Sequence, residues 1–101
     1  MTARNIDFKA VNEAARVCLP ELLSRWLPDG RIRNGEWVAL NPTRDDRKPG
    51  SFMINIQTGK WADFATGDGG GDVISLVAYL SRCSQKEAAL QLAGYLGGHH
   101  A

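Results

Sequence analysis

Arg31-Ile32-Arg33-Asn34-Gly35-Glu36-Trp37-Val38-Ala39-Leu40, followed further on by Ser51-Phe52-Met53-Ile54-Asn55-Ile56-Gln57-Thr58-Gly59-Lys60-Trp61-Ala62-Asp63-Phe64, decides the fold class. Asn34-Gly35 supplies the two positive φ angles of a type I′ turn, so the short runs on either side are expected to pair as a hairpin. Ser51 to Ile56 alternates polar and apolar residues, Gln57-Thr58-Gly59 turns the chain, and Lys60 to Phe64 returns as a second hairpin. Between the two lies Asn41-Pro42-Thr43-Arg44-Asp45-Asp46-Arg47-Lys48-Pro49-Gly50, a charged and exposed loop by composition.

The flanks change period. Upstream, Phe8, Val11, Ala15, Cys18, Leu19, Leu22, Leu23 and Trp26 recur at steps of three and four, which places an apolar stripe on a helix with Asp7 as its N-cap. Pro20 has no amide proton and clashes with the preceding turn, so the helix should break there and restart with Pro20 in its first turn, ending before Pro28-Asp29-Gly30. Downstream, Gly67-Asp68-Gly69-Gly70-Gly71 is expected to be a flexible or tightly turned loop leading to Asp72, the N-cap of a helix carrying Val73, Leu76, Val77 and Leu80 on one face. Ser84 and Glu87 form a capping-box pattern that opens a last helix with Ala88, Leu92, Tyr95 and Leu96 inward, stopped by Gly97-Gly98. The expected fold is α+β: helices over about 8–27, an antiparallel sheet of hairpins over about 31–64 and helices over about 72–96, in one domain spanning 1–101.

A chain of 101 residues can bury one modest core without staples. No apolar run approaches the ~18 residues needed to cross a bilayer, and Met1 to Lys9 has no apolar signal region, so a cytoplasmic protein with no membrane partner is expected. Cys18 and Cys83 lie in helical segments and are expected to be buried free thiols; a reducing compartment opposes a disulfide. No Cys-x-x-Cys pair exists, and His99-His100 at the chain end is a poor structural metal site, so no cofactor is expected. The formal net charge is only +1, but from Arg31 to Trp61 six basic residues (Arg31, Arg33, Arg44, Arg47, Lys48, Lys60) face three acidic ones (Glu36, Asp45, Asp46).

The order of motifs from Asn41 to Leu80 resembles the N-terminal zinc-ribbon domain of bacterial, phage and plasmid DNA primases. That family's pattern runs Cys-Pro-x-His, a charged stretch, Pro-Ser-Phe, a hairpin, aromatic-x-Cys-Phe-x-Cys, then Gly-Gly-Asp/Asn and an apolar helix. Here Asn41-Pro42-Thr43-Arg44, Asp45 to Phe52 with one extra glycine, Trp61-Ala62-Asp63-Phe64-Ala65-Thr66 and Gly70-Gly71-Asp72 stand in that order. More closely, Phe8 to Gly97 is similar to the zinc-lacking version at the start of primases and primase-helicases of plasmids, phages and integrated elements. All four ligand positions, reading Asn41, Arg44, Asp63 and Thr66, have lost thiolate and imidazole chemistry, and an arginine at one corner would repel the cation. An Arg44–Asp63 ion pair, or hydrogen bonds from Asn41 and Thr66, is expected to bridge the two knuckles instead.

The resemblance implies a zinc-free, zinc-ribbon-like module without catalytic residues that binds single-stranded DNA template and supports primer synthesis in DNA replication. The candidate contacts are Arg31, Arg33, Arg44, Arg47, Lys48 and Lys60 for phosphates, with Trp37 and Trp61 for stacking; Phe52 and one of the two tryptophans are assigned to the core. The alternative is a docking module for a primase catalytic core or replicative helicase with little DNA contact. The glycine run lacks the Gly-Lys-Ser/Thr ending of a phosphate loop, and Asp68 and Asp72 oppose a phosphate. The chain is expected to be the front of a longer primase, with Gly97-Gly98-His99-His100 as a linker.

Overall fold

The computed structural model describes residues 6–97; His99, His100 and Gly98 of the expected linker lie outside them. The elements are α1 (Phe8–Val17), α2 (Leu19–Trp26), β1 (Arg31–Arg33), β2 (Glu36–Ala39), β3 (Phe52–Asn55), β4 (Trp61–Asp63), β5 (Asp68–Gly70), α3 (Val73–Ser81) and α4 (Gln85–Gly97). This is the α+β arrangement of N-terminal helices, antiparallel sheet and C-terminal helices read from the residue pattern.

Local chemistry accounts for most boundaries. The Asp7 carboxylate accepts from Ala10 N at 3.1 Å and starts α1. Cys18 leaves helical geometry and Pro20 falls in the first turn of α2, where a missing amide proton costs nothing. Asp72 caps α3, accepting from Ser75 N at 2.8 Å, while Ser84 and Glu87 exchange two hydrogen bonds of 3.0 Å at the start of α4. Asn34 and Gly35 take φ of 51° and 79°, the left-handed pair that the β1–β2 turn requires.

The sheet is a five-stranded meander in sequential order, each neighbour antiparallel. The fifth strand corrects the sequence reading, which had Gly67 to Gly71 as a loop. Asp68, Gly69 and Gly70 pair with Asp63, Ala62 and Trp61. Glycine is a poor strand former, yet Gly70 is required here because a β-carbon would collide with the Trp61 indole and the Ser75 hydroxyl.

All the helical packing lies on one face of the sheet. Trp37, Ala39, Phe52, Ile54 and Trp61 point into that side and share a core with Leu19, Leu22, Leu23, Val73, Leu76, Leu92 and Leu96. Trp37 Nε1 donates to Leu27 O at 3.1 Å and Trp61 Nε1 to Ser75 Oγ at 2.9 Å, so both buried indoles are satisfied. Asn12, buried in α1, donates to Asp72 Oδ2 at 3.1 Å and accepts from Ile74 N at 3.0 Å, locking α1 onto the start of α3. Three apolar residues of the helical segments are less buried than expected: Phe8 is 41% exposed at the outer end of α1, and the free thiols of Cys18 and Cys83 are only half-buried where the helices end.

The β3–β4 turn abuts the start of α3. Gly59 has φ of 82°, and a β-carbon there would sit 2.7 Å from Val73 Cγ2. Gly59→Ala is therefore expected to cost about 2 kcal/mol from combined strain and overpacking, a fall of roughly 10 °C in melting temperature for a domain of this size. Thermal unfolding followed by circular dichroism checks it.

Candidate nucleic-acid interface

Two tight turns meet at one end of the sheet. The first carries Asn41 and Arg44, closed by Arg44 N donating to Asn41 O at 3.3 Å; the second follows Asp63, whose carbonyl accepts from Thr66 N at 3.3 Å and Gly67 N at 2.8 Å. Between them the Asp63 carboxylate is fully buried, and one buried charge in so small a core is costly unless it is matched.

It is matched by four N–H donors. Arg44 grips it with Nε at 2.9 Å from Oδ2 and Nη2 at 3.2 Å from Oδ1, Asn41 Nδ2 donates to Oδ2 at 2.8 Å, and Ala65 N donates to Oδ1 at 2.9 Å. Arg44 Nη2 also donates to Ser51 Oγ at 2.9 Å and lies 3.4 Å from Asp46 Oδ2. Asn41 Nδ2 further donates to Tyr79 Oη at 2.8 Å, and that hydroxyl donates to Asp68 Oδ2 at 2.8 Å. Burial by itself pushes the Asp63 carboxyl up; the Arg44 guanidinium and the Asn41 and Ala65 amides outweigh it and hold the group well below the usual carboxylate range. Hydrogen bonding to Asp63 raises Arg44 in turn.

The expected Arg44–Asp63 bridge is thus present, with Asn41 bound to the same carboxylate. Thr66 contributes less, its hydroxyl accepting from Asp68 N at 3.2 Å. A zinc ion does not fit this donor set: two corners present N–H groups to the centre, one of them cationic, and neither thiolate nor imidazole faces it. Among the described residues no group of three or more His, Cys, Asp or Glu is arranged to hold a metal. Asp46 accepts from Asn41 N at 2.9 Å, and Asp45 pairs with Arg47 at 3.4 Å, so the loop carboxylates are spent on local contacts.

The contact residues read from the sequence fall into three places. Trp37 and Trp61 are corrected: both are buried, at 8% and 5% exposure, because they stand in one cross-strand row, Trp37–Ile54–Trp61, on the face the helices cover. Neither ring can stack on a base. Arg44 serves the internal network just described. Arg31, Arg33, Arg47, Lys48 and Lys60 are exposed.

The opposite face of the sheet is bare of helices, and strand alternation sets what it displays. One row reads Arg31, Val38, Met53, Ala62, Gly69; the next reads Arg33, Glu36, Asn55, with Lys60 beside Asn55. At the other end Phe64, 72% exposed, follows Asp63 outward, its amide donating to Ser51 O at 2.8 Å. Sequence reasoning passed over Phe64, although strand parity was a usable signal: once Asp63 and Trp61 point inward, Ala62 and Phe64 must point out. A separate apolar cleft of about 350 Å³ opens on the helical side, lined by Trp26, Pro42, Val77, Leu80, Leu92 and Tyr95 among others.

Comparison with known proteins places this geometry. The structure superposes on part of a crystal structure of the Aquifex aeolicus primase, comprising its zinc-binding and RNA polymerase domains, with a TM-score of 0.73. The fold is shared with a primase. Sequence identity over the match is 24%, and the match covers 93% of this chain but 22% of the primase chain, so this chain spans about a fifth of that structure. No protein-family model matches the sequence, and no curated protein matches it significantly.

Removing one partner of a buried, hydrogen-bonded charge pair strands the other. Asp63→Ala should lower stability by about 3–5 kcal/mol, and the double replacement Asp63→Leu with Arg44→Met should recover much of it. A chelator should leave the melting temperature of the wild type unchanged. Because the folded carboxyl lies below its unfolded value of about 4, its contribution is complete above that pH and drains away as the pH falls below it. Acid melts should therefore show a steep loss below about pH 4 that is shallower in Asp63→Asn.

Proposed function

We propose that this chain is a non-catalytic module that holds single-stranded DNA template for a primase or primase-helicase of a plasmid, phage or integrated element. The observation that carries this reading is the bare sheet face, which carries Arg31, Arg33 and Lys60 together with the exposed ring of Phe64 at its other end. Cations spaced along a flat sheet can meet successive phosphates, releasing counterions, while unpaired bases find apolar surface in Met53, Ala62 and Phe64. Arg47 and Lys48, in the exposed loop that enters β3 beside Phe64, extend the basic rim. The likeness to a primase structure supports the setting.

The reading assigns no catalytic residue to this chain. Its acidic side chains nearest the basic loop are engaged by Arg44, Asn41 and Arg47. No helix among the described residues is long and apolar enough to cross a membrane. A second reading is favoured by the apolar cleft at Trp26 and Tyr95, which suits docking of a primase core or replicative helicase.

Salt separates them. Anisotropy of a labelled single-stranded oligonucleotide should give a log–log salt slope of about −2, the value for three phosphate contacts on a single strand. Arg31→Ala with Arg33→Ala should reduce the magnitude of that slope by about 1.4. Failure of the wild type to bind at low salt would transfer the assignment to protein docking.

A further inference from the structure

Strand β4 presents Lys60, Ala62 and Phe64 outward in succession, and these three residues line two shallow recesses side by side. The recess toward β3, about 210 Å³, is completed by Met53, Asn55 and Glu36. The recess toward β5, about 440 Å³, is completed by Gly67, Gly69, Gly70 and Gly71 with Asp68. Lys60, Ala62 and Phe64 each border both recesses, Ala62 at mid-strand, Lys60 toward one end and the ring of Phe64 toward the other. The side toward β5 is roomy because Gly69, which pairs with Ala62 on this face, carries no side chain.

The chemistry of the walls selects what can enter. Glu36 places a carboxylate at the recess toward β3, which repels phosphate, whereas the Asp68 carboxylate turns to the helix side, where it accepts from Tyr79 Oη at 2.8 Å. The floors are apolar or bare backbone, which suits a flat, uncharged ring. Lys60 at the common end, with Arg33 in the same cross-strand row three strands away, supplies positive charge where a sugar–phosphate backbone would pass.

We infer that Phe64 is a wedge between two neighbouring unpaired bases of a single strand, one base lying in each recess and their linking phosphate directed to Lys60. The inference rests on the single-strand reading above and adds to it the residue that separates the bases. Trp37 and Trp61, the aromatics that the sequence offers first, are both buried, and Phe64 is 72% exposed with no role in the core. A base on an aromatic ring contributes stacking that does not depend on its identity and is little affected by salt, whereas the cations contribute the salt-dependent part.

The test uses the full chain and an oligonucleotide long enough to cover the sheet, with Phe64→Ala, Phe64→Leu and Phe64→Tyr compared with wild type. Because Phe64 is exposed, the variants should melt with the wild type. Phe64→Ala and Phe64→Leu are expected to weaken binding about tenfold or more with the salt slope unchanged, and Phe64→Tyr to restore it. Placing adjacent abasic sites throughout the oligonucleotide should weaken wild-type binding by a similar factor and Phe64→Ala binding much less. If Phe64→Ala binds like wild type while Arg31→Ala with Arg33→Ala binds weakly, the wedge is wrong and the single-strand reading stands. If wild type does not bind at low salt, both fall.

Discussion

The buried carboxylate of Asp63 is the constraint around which one end of this protein is built. A charge at zero exposure must be met by donors from every side, and those donors come from Asn41 and Arg44 in one turn and Ala65 in the next. Meeting that demand positions the loop between β2 and β3, closes the turn from β4 into β5, and, through Tyr79, ties both to α3. Arg82 adds a second tie, its guanidinium donating to Thr43 O at 2.8 Å from the far end of α3. The resemblance read from the order of motifs implies a metal at the same crossing in zinc-bearing relatives.

A hydrogen-bonded ion pair is a weaker clasp than zinc, whose binding contributes on the order of 10 kcal/mol or more to small metal-dependent folds. The difference has to be supplied by packing. Among the described residues four helices close over one face of the sheet, and three aromatic side chains pack together there: Trp61 stacks obliquely on Tyr79 with centroids 4.5 Å apart, and Phe52 meets both. Putting the aromatics there is what removes them from the other face. The same economy leaves the outer face with small and basic residues and one exposed ring, a surface suited to a polyanion with flat bases.

Much of this was legible locally. Asn34-Gly35, Asp72 with Ser75, and Ser84 with Glu87 act through contacts within a few residues, so their chemistry can be read from the chain directly. The Arg44–Asp63 bridge was legible for a different reason: the resemblance placed two complementary groups at positions that a metal elsewhere holds together. Strand β5 was not, because glycines have no strand preference of their own and Asp68 to Gly70 is held straight by the backbone of β4.

The residue pattern by itself determined the α+β class, the turns and caps, and the incompatibility of the four knuckle positions with zinc, since each follows from the intrinsic geometry or donor chemistry of the residues named. Tertiary structure decided which face of the sheet the helices cover, and with it the burial of Trp37 and Trp61, the exposure of Phe64 and the internal use of Arg44. Alternation along a strand divides residues into two sets, but the choice of which set is inside depends on the packing of distant helices, α2 and α3 above all.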